Sequence, residues 1–337
     1  AAVKEPFFMP LAVGLLDRDG TSLPVEGADE DGTRVLVLEE REQAFVLAPV
    51  PTRPVVSFLR NFSAPVRVRF EQTDEELGLR MARDPDPFNR WEAGQQLALR
   101  HLLARMDEAR QDDPVTLPRT LYQGLRDLLR DRDSDPAFLA VALVLPAENW
   151  ISQQLAVVDP VAVFTVRQRF RAAVGRELRT ELRERYAELR VGPPYRYDPL
   201  DAGRRSLRNL CLAYLLAADP GGRNDPDLLA LGLDQYREAG NMTDTMAALT
   251  AVVNADLDAG TQLLADFHER WQHDPLVVDK WLALQAGCTL PGTLERVRRL
   301  TAHPSFTYRN PNKVRSLIAT FGATNHSQFH AADGSGY

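Results

Sequence analysis

Nine Asp-Pro steps punctuate the chain from residue 84 onward, and they constrain its fold more than any other feature. An aspartate carboxylate accepts hydrogen bonds from the free N–H groups in the first turn of a helix. Proline at the next position already has a helical φ angle and has no N–H group to leave unpaired. Most of these steps therefore predict the start of a helix. They begin at residues 84, 86, 113, 135, 159, 198, 219, 225 and 274.

Apolar stripes between these steps have the helical period. One stripe consists of Leu207, Leu210, Cys211, Tyr214 and Leu215, and another of Val314, Leu317, Ile318 and Phe321. The longest helical run is predicted over Val161 to Leu189. About a dozen helices joined by short loops, without a fixed repeat length, are typical of stacked antiparallel helix pairs. The sequence thus predicts an irregular, HEAT-like helical superhelix.

The first 72 residues have a different pattern, which is typical of short β-strands. The predicted strands are Phe7–Leu16, Arg34–Leu38, Ala44–Ala48 and the alternating segment Val66–Phe70. We therefore expect a small, Ig-like β-sandwich domain at 1–72, followed by an all-α superhelical domain at 73–337. The junction at Glu71–Asp74 is short, so the β domain is expected to pack directly on the first helices.

Composition excludes several classes of protein. The net charge of −7 and the isoelectric point near 5.5 argue against a nucleic-acid partner. No apolar run is long enough to cross a membrane. Two cysteines, Cys211 and Cys288, do not make a disulfide framework or a metal site, and they are expected to be buried free thiols in a reducing compartment. The sequence therefore favours a cytoplasmic protein.

Five irregular segments together resemble one known family, and they come in that family's order. They are Arg60–Val66, Phe88–Gln95, Glu238–Asp244, Asp279–Gln285 and the C-terminal signature made of Ser305–Phe321 followed by Phe329–Tyr337. The chain resembles the C-terminal part of bacterial aminopeptidase N, the alanyl aminopeptidases of the gluzincin class. By that resemblance, Arg60–Val66 is the last strand of a small β-sandwich and Phe88–Gln95 lies in the first long helix of the helical domain.

The resemblance implies a four-domain zinc enzyme that removes N-terminal residues from peptides. Its metal is bound by His-Glu-x-x-His, a motif that does not occur in this chain. We therefore expect the third domain and most of the fourth, with no catalytic residue, metal ligand or cofactor of their own. The implied partners are the catalytic domain of the same parent chain, which holds the zinc, and peptide substrates, and neither nucleic acid nor a membrane is expected. This part would cap the catalytic cleft and gate the access of peptides.

Arg315 is the one candidate functional residue. It lies about 100° from Val314 on a helical wheel and so flanks the buried stripe. The resemblance implies that an arginine here lines the cavity leading to the zinc site, where it could attract a peptide carboxylate. The alternative is an ordinary surface arginine paired with a neighbouring acidic residue.

Two histidines have the spacing of a zinc site but not its other residues. His326 and His330 are four residues apart, yet Ser327 stands where a zinc peptidase has its general-base glutamate. Surface or capping roles are therefore favoured for both.

A competing hypothesis is a stand-alone α-solenoid adaptor that binds another protein on its concave face. Such a protein is expected to begin at its own methionine and to close with a polar capping helix. The chain begins Ala-Ala-Val-Lys and ends at Tyr337, which favours a piece of a longer enzyme.

Overall fold

The computed structural model describes residues 5–47, 50, 52–109, 113–192, 194–223 and 225–337. The chain divides into two compact units. The first unit comprises Ala1–His101 and Pro118–Leu145, and the second comprises Leu102–Leu117 and Pro146–Tyr337.

A small antiparallel sheet forms the β part of the first unit. Its strands are β1 (Met9–Leu16), β2 (Arg34–Leu38) and β3 (Val55–Phe58), in the order β2-β1-β3. Both outer strands run antiparallel to β1, with Met9 opposite Leu38 and Val13 opposite Phe58. The apolar core beside the sheet consists of Leu11, Val13, Leu36, Leu59 and Ala64.

Two of the four predicted strands are confirmed, and two are wrong within the described residues. Residues 44–47 are not a strand, and Ala48 lies outside the described part of the chain. Phe45 and Leu47 instead pack on the core as part-buried side chains without joining the backbone ladder. The alternating segment Val66–Phe70 is irregular, and its three apolar side chains are exposed. The third strand is Val55–Phe58, whose neighbouring prolines concealed it in the sequence.

The segment Arg60–Val66, expected to be a strand, is a tight turn. Arg60–Phe62 forms a short 3₁₀ helix, and Leu59, Asn61 and Phe62 have φ angles of 56°, 56° and 51°. These left-handed conformations end the extended backbone immediately after β3. The turn directs the Arg60 side chain into the interior, where it is 1% exposed.

Among the described residues, four α-helices belong wholly or partly to the first unit. They are α1 (Asp74–Arg83), the first part of α2 (Pro87–Ala104), α3 (Arg119–Arg130) and α4 (Pro136–Ala142). Helix α1 begins with a capping box, in which Thr73 and Glu76 each bond the other's backbone N–H group.

The sheet packs directly on the first helices, as the short junction predicted. Ser57 in β3 donates its hydroxyl to Asp84 at 3.0 Å, and Asn89 in α2 donates to the same hydroxyl oxygen at 2.9 Å. The Asn61 N–H group donates to the Asp86 carboxylate at 2.8 Å. These bonds join β3 and the turn after it to both ends of the α1–α2 connection.

In the residues of the second unit that the structure describes, all regular secondary structure is helical. It contains α5 (Glu148–Ser152), α6 (Pro160–Glu177), α7 (Arg179–Glu188), α8 (Pro199–Ala218), α9 (Pro226–Glu238), α10 (Met242–Ala255), α11 (Leu257–Trp271), α12 (Pro275–Ala286), α13 (Thr293–Thr301), α14 (Pro311–Val314), α15 (Thr320–Thr324) and α16 (His326–Phe329). Helix α8 packs against α6, α7 and α10, and α10 packs against α9 and α11. Such packing between neighbours in sequence agrees with the predicted stack of helix pairs.

The Asp-Pro prediction is confirmed for most of the nine steps. Asp135, Asp159, Asp198, Asp225 and Asp274 each cap an α-helix whose first residue is proline. Asp86 precedes Pro87 of α2 and accepts from the Asn89 N–H group at 2.7 Å. Asp219 begins only a short 3₁₀ helix, Asp84 ends α1, and Asp113 lies in a loop.

The predicted run from Val161 to Leu189 is two helices. Leu178 leaves helical geometry with φ −107° and ψ 22°, which separates α6 from α7. Leu178 is fully buried at this break, so packing overrides the local helical tendency of the segment. Cys211 and Cys288 are buried free thiols, as expected.

Candidate functional site

The candidate site lies around Arg315, in the helical stretch that starts at Pro311. Asn310 caps this stretch by accepting a hydrogen bond from the Asn312 N–H group at 2.9 Å. Four residues of α-helix follow, and Arg315 begins the next turn. Asn and Pro at these positions start the helix for the same reason that Asp-Pro does elsewhere.

The turn that Arg315 begins is a π-helix, which spans Arg315–Ala319. The Arg315 carbonyl accepts from the Thr320 N–H group, five residues ahead, and also from the Thr320 hydroxyl at 3.1 Å. Single π turns inside α-helices are rare and are frequent at functional sites. The sequence did not reveal this turn, because apolar spacing alone does not distinguish an i+5 bond from an i+4 bond.

The Arg315 side chain is exposed. It forms no hydrogen bond or ion pair with any other residue in the described part of the chain. The alternative of a surface arginine paired with a neighbouring acid therefore does not describe this structure. A full positive charge is available to a ligand at this position.

Lys313, two residues earlier, occupies the buried face and was missed by the sequence reasoning. Its ammonium group forms an ion pair with Asp279 of α12 at 2.9 Å and donates to the Pro275 carbonyl at 2.9 Å. Leu317 and Phe321 share this buried face, whereas Ile318, predicted to belong to it, is 37% exposed. The buried stripe is thus displaced toward Lys313, away from the face expected for a regular α-helix.

His326 and His330, which have the spacing of a zinc site, each contact a different polar group. His326 contacts the Ala323 carbonyl at 2.8 Å, and His330 contacts the Tyr337 hydroxyl at 2.5 Å. Their ring centroids are 6.0 Å apart. Within the described ranges, no group of three or more His, Cys, Asp or Glu side chains is placed to hold a metal ion.

A second histidine pair was not anticipated. His268 bonds the Ser305 hydroxyl at 2.9 Å, and its ring lies 4.4 Å from the Trp281 ring and 5.1 Å from the His303 ring, measured between centroids. Burial, together with the neighbouring His303, lowers the pKa of His268. The neutral imidazole is therefore favoured, which suits a packing role beside Trp281.

A cavity of about 520 Å³ opens between the loop before α8 and the α9–α10 connection. Its lining includes four arginines, namely Arg190, Arg196, Arg205 and Arg208. These arginines are distant in sequence from Arg315, and their convergence follows from the packing of α7, α8 and α9. The same wall contains Asn241, which caps α10 by accepting from the Asp244 N–H group at 2.9 Å.

In the portion of the chain that the structure describes, no helix combines the length and the apolar character needed to cross a membrane.

Family models match both parts of the chain. Residues 74–337 match the family described as "Domain of unknown function (DUF3458_C) ARM repeats". Residues 1–71 match the family described as "Domain of unknown function (DUF3458) Ig-like fold". An "Aminopeptidase N" of Escherichia coli strain K12 is 36% identical over 336 residues, covering 100% of this chain. This chain belongs to the bacterial aminopeptidase N family.

The chain corresponds to the C-terminal region of aminopeptidase N and spans about 38% of the length of the Escherichia coli relative. The "Aminopeptidase N" of Haemophilus influenzae is 34% identical over 98% of the chain, which spans 37% of that relative. The "Aminopeptidase N" of Caulobacter vibrioides is 36% identical over 97% of the chain, which spans 36% of that relative.

A solved structure has the same fold. The Legionella pneumophila aminopeptidase A, crystallised in complex with aspartic acid, matches with a TM-score of 0.80 and 27% identity. The match covers 98% of this chain and 38% of that one. The fold is therefore a small Ig-like β domain followed by a largely helical ARM-repeat domain. The sequence predicted this order of domains, with a HEAT-like superhelix as the helical part.

Proposed function

We propose that this chain is the non-catalytic C-terminal portion of a cytoplasmic zinc aminopeptidase that removes N-terminal residues from peptides. In this proposal it caps the catalytic cleft and gates peptide access, and the zinc belongs to the catalytic domain of the same parent chain. Support comes from the aminopeptidase N relatives, of which the chain spans little more than a third. We place the domain boundary at residues 72–73, which agrees with the family matches at 1–71 and 74–337.

Arg315 is proposed to act on the path that a peptide takes. The observation that supports this role is its exposed guanidinium group, which is unpaired among the described residues and stands at a π-helical turn. A guanidinium group binds a carboxylate through two parallel charge-assisted hydrogen bonds. Arg315 would thus attract and orient the C-terminal carboxylate of a peptide, while the reaction itself takes place in the catalytic domain.

The buried ion pair beside it would keep this helix in place. Lys313 ties the first turn to α12 through Asp279 and Pro275, and Leu317 and Phe321 pack on the same side. Arg315 can therefore point outward from a fixed helix instead of a mobile loop. A charged group held in position costs less ordering entropy when it binds a ligand.

The test uses the full-length enzyme and two matched peptides that differ only in a free or an amidated C-terminus. Arg315→Gln is expected to lower kcat/KM for the free-carboxylate peptide by about tenfold, mainly through KM, since an exposed charge-assisted contact is lost. The amidated peptide should be affected little. Arg299→Gln is the control, because Arg299 is also exposed and unpaired among the described residues, and its substitution changes the net charge equally.

Equal effects of Arg315→Gln on both peptides, or no effect on either, would contradict the carboxylate role. The competing adaptor hypothesis is tested separately by the mass of the native product in source cells, detected with an antibody against this chain. A band well above 37.7 kDa supports the enzyme fragment, and a band at 37.7 kDa supports the adaptor.

A further inference from the structure

We propose that the cavity lined by Arg190, Arg196, Arg205 and Arg208 binds a small anion that carries carboxylate or phosphate groups. Arg205 is the residue that contributes most to binding this anion. This arginine cavity is formed within the second unit and does not include Arg315, so the inference is independent of the proposed peptide path.

Arg205 is a buried charge without a charged partner. It is 5% exposed, lies in the cavity wall, and has its guanidinium carbon 5.2 Å from the centre of the Tyr195 ring. Among the described residues its side chain has no hydrogen bond or ion pair. Burying an ionised group is costly unless it is paired, so the position of Arg205 points to a partner supplied by a ligand.

The acidic groups of the cavity wall are already engaged by other donors. Glu238 accepts from Arg190 at 2.9 Å. Asp244 accepts from the Asn209 side chain and from the Asn241 side chain, each at 2.9 Å.

The third acid of the wall, Asp201, also pairs with a residue that does not line the cavity. It accepts from Arg204 at 3.5 Å, and Arg204 is not part of the lining. Among the described residues, none of these three carboxylates forms an ion pair with Arg205.

Two further features favour an anion. Arg196 lies on the same wall, is exposed, and is unpaired within the described part of the chain, so it can close on a ligand from the solvent side. The α10 helix, which is 14 residues long, begins at the wall, and its N-terminus has a positive partial charge.

Arg208 completes the rigid side of the cavity. Its guanidinium carbon lies 4.1 Å from the centre of the Tyr186 ring, and the group donates to the Gln235 side chain at 2.8 Å. Arg208 therefore contributes fixed positive charge, whereas Arg205 and Arg196 have free donors. The volume of about 520 Å³ suits a small molecule, not a folded partner.

The experiment is isothermal titration calorimetry of the full chain at low ionic strength, with inorganic phosphate and succinate as separate probes. At least one probe is expected to bind with a stoichiometry of one, and the stronger of the two identifies the preferred anion. Arg205→Gln is expected to weaken that binding by about tenfold or more, the loss that follows from removing a buried charge-assisted contact.

Arg237→Gln is the control, because Arg237 lies on α9 outside the cavity and pairs with Asp234 at 3.1 Å. The Arg237→Gln variant should bind the probe anion with the same affinity as the unsubstituted chain. Thermal unfolding by circular dichroism checks that each variant is folded. If Arg205→Gln unfolds, Arg196→Gln becomes the deciding variant. Arg196 lies on the exposed side of the wall, and its substitution is expected to lower the affinity for the anion severalfold.

The proposal is overturned if neither phosphate nor succinate binds the unsubstituted chain. It is also overturned if a probe binds but the deciding variant has the same affinity as Arg237→Gln.

Discussion

Arg60 and Asp84 lie in one buried cluster, with the Arg60 Nη2 atom 3.8 Å from the Asp84 Oδ1 atom and both side chains no more than 2% exposed. The Asp84 carboxylate also accepts from Ser57 at 3.0 Å and from Arg80 at 3.4 Å. Burial lowers the pKa of Arg80, while the neighbouring Asp84 raises it and keeps the cation favourable. Asp84 therefore pairs with two buried guanidinium groups between the β-sheet and α1.

Asp84→Asn is expected to destabilise the first unit by about 3–5 kcal/mol, because two buried cations lose their counter-charge while the side-chain volume is unchanged. Urea unfolding followed by circular dichroism measures the loss. Asp107→Asn is the control, since Asp107 is exposed, and it should change stability by less than about 0.5 kcal/mol. Similar values for the two variants would show that the cluster is not a stabilising centre.

Gly175→Ala is expected to destabilise the second unit, although alanine normally favours a helix over glycine by about 1 kcal/mol. A Cβ atom at Gly175 in α6 would lie 2.1 Å from the Tyr214 carbonyl oxygen in α8, so one of the two backbones would have to move. The expected net loss is about 1–3 kcal/mol in urea unfolding.

Gly240→Ala is the matched control for this glycine. A Cβ atom there would meet no other atom within 4 Å, so stability should be unchanged or slightly raised. If Gly175→Ala stabilises the chain as much as Gly240→Ala does, the α6–α8 contact is not as close as described.

Asp159→Ala is expected to cost about 1 kcal/mol, because its carboxylate accepts from the Val161 and Ala162 N–H groups at the start of α6. Asp113→Ala makes the same change at an Asp-Pro step that lies in a loop, and it should cost less than about 0.5 kcal/mol. Chemical unfolding of both variants compares them directly, and equal losses would argue against helix capping as the function of these steps.

Asp131→Asn is expected to give a pH-dependent loss of stability. Burial raises the pKa of Asp131, but hydrogen bonds from Ser134, from Arg90 at 2.9 Å and from the Asp133 N–H group outweigh it and lower the pKa to about 2. A carboxylate with a lowered pKa stabilises the fold above its unfolded value of about 3.9, and this contribution is lost as the pH falls toward about 2.

The variant should therefore be less stable than the unsubstituted chain at neutral pH, and the difference should shrink as the pH falls below about 4. Urea unfolding curves, taken from pH 7 down to the lowest pH at which the chain stays folded, measure this difference. Asp133→Asn is the control, since its side chain is exposed, and its curve should follow the unsubstituted chain. A constant difference across the whole range would contradict the assigned pKa.

The sequence predicted features that depend on neighbouring residues. Most of the Asp-Pro steps start helices because the capping carboxylate and the N–H groups that it binds are only two or three residues apart. The strands Met9–Leu16 and Arg34–Leu38 were found for a similar reason, since their apolar runs are bounded by turns.

Features that depend on distant residues could not be predicted in this way. Arg60 has its counter-charge 24 residues away at Asp84, and Lys313 has its own 34 residues away at Asp279. Both look like surface residues in the sequence, because a charged side chain is usually solvated. The arginine cavity escaped notice for the same reason, as its wall combines residues from 190 to 244 that only helix packing brings together.

The π turn at Arg315 has a consequence for how this helix can vary. A turn closed by an i+5 bond contains one residue more than a turn closed by an i+4 bond. A helix can therefore contain an extra residue at this turn while the residues at both of its ends keep their packing contacts. Lys313 on one side and Phe321 on the other keep their buried contacts. The side chain at position 315 can therefore be exchanged without repacking the residues beneath it, because it is exposed while Lys313, Leu317 and Phe321 hold the helix in place.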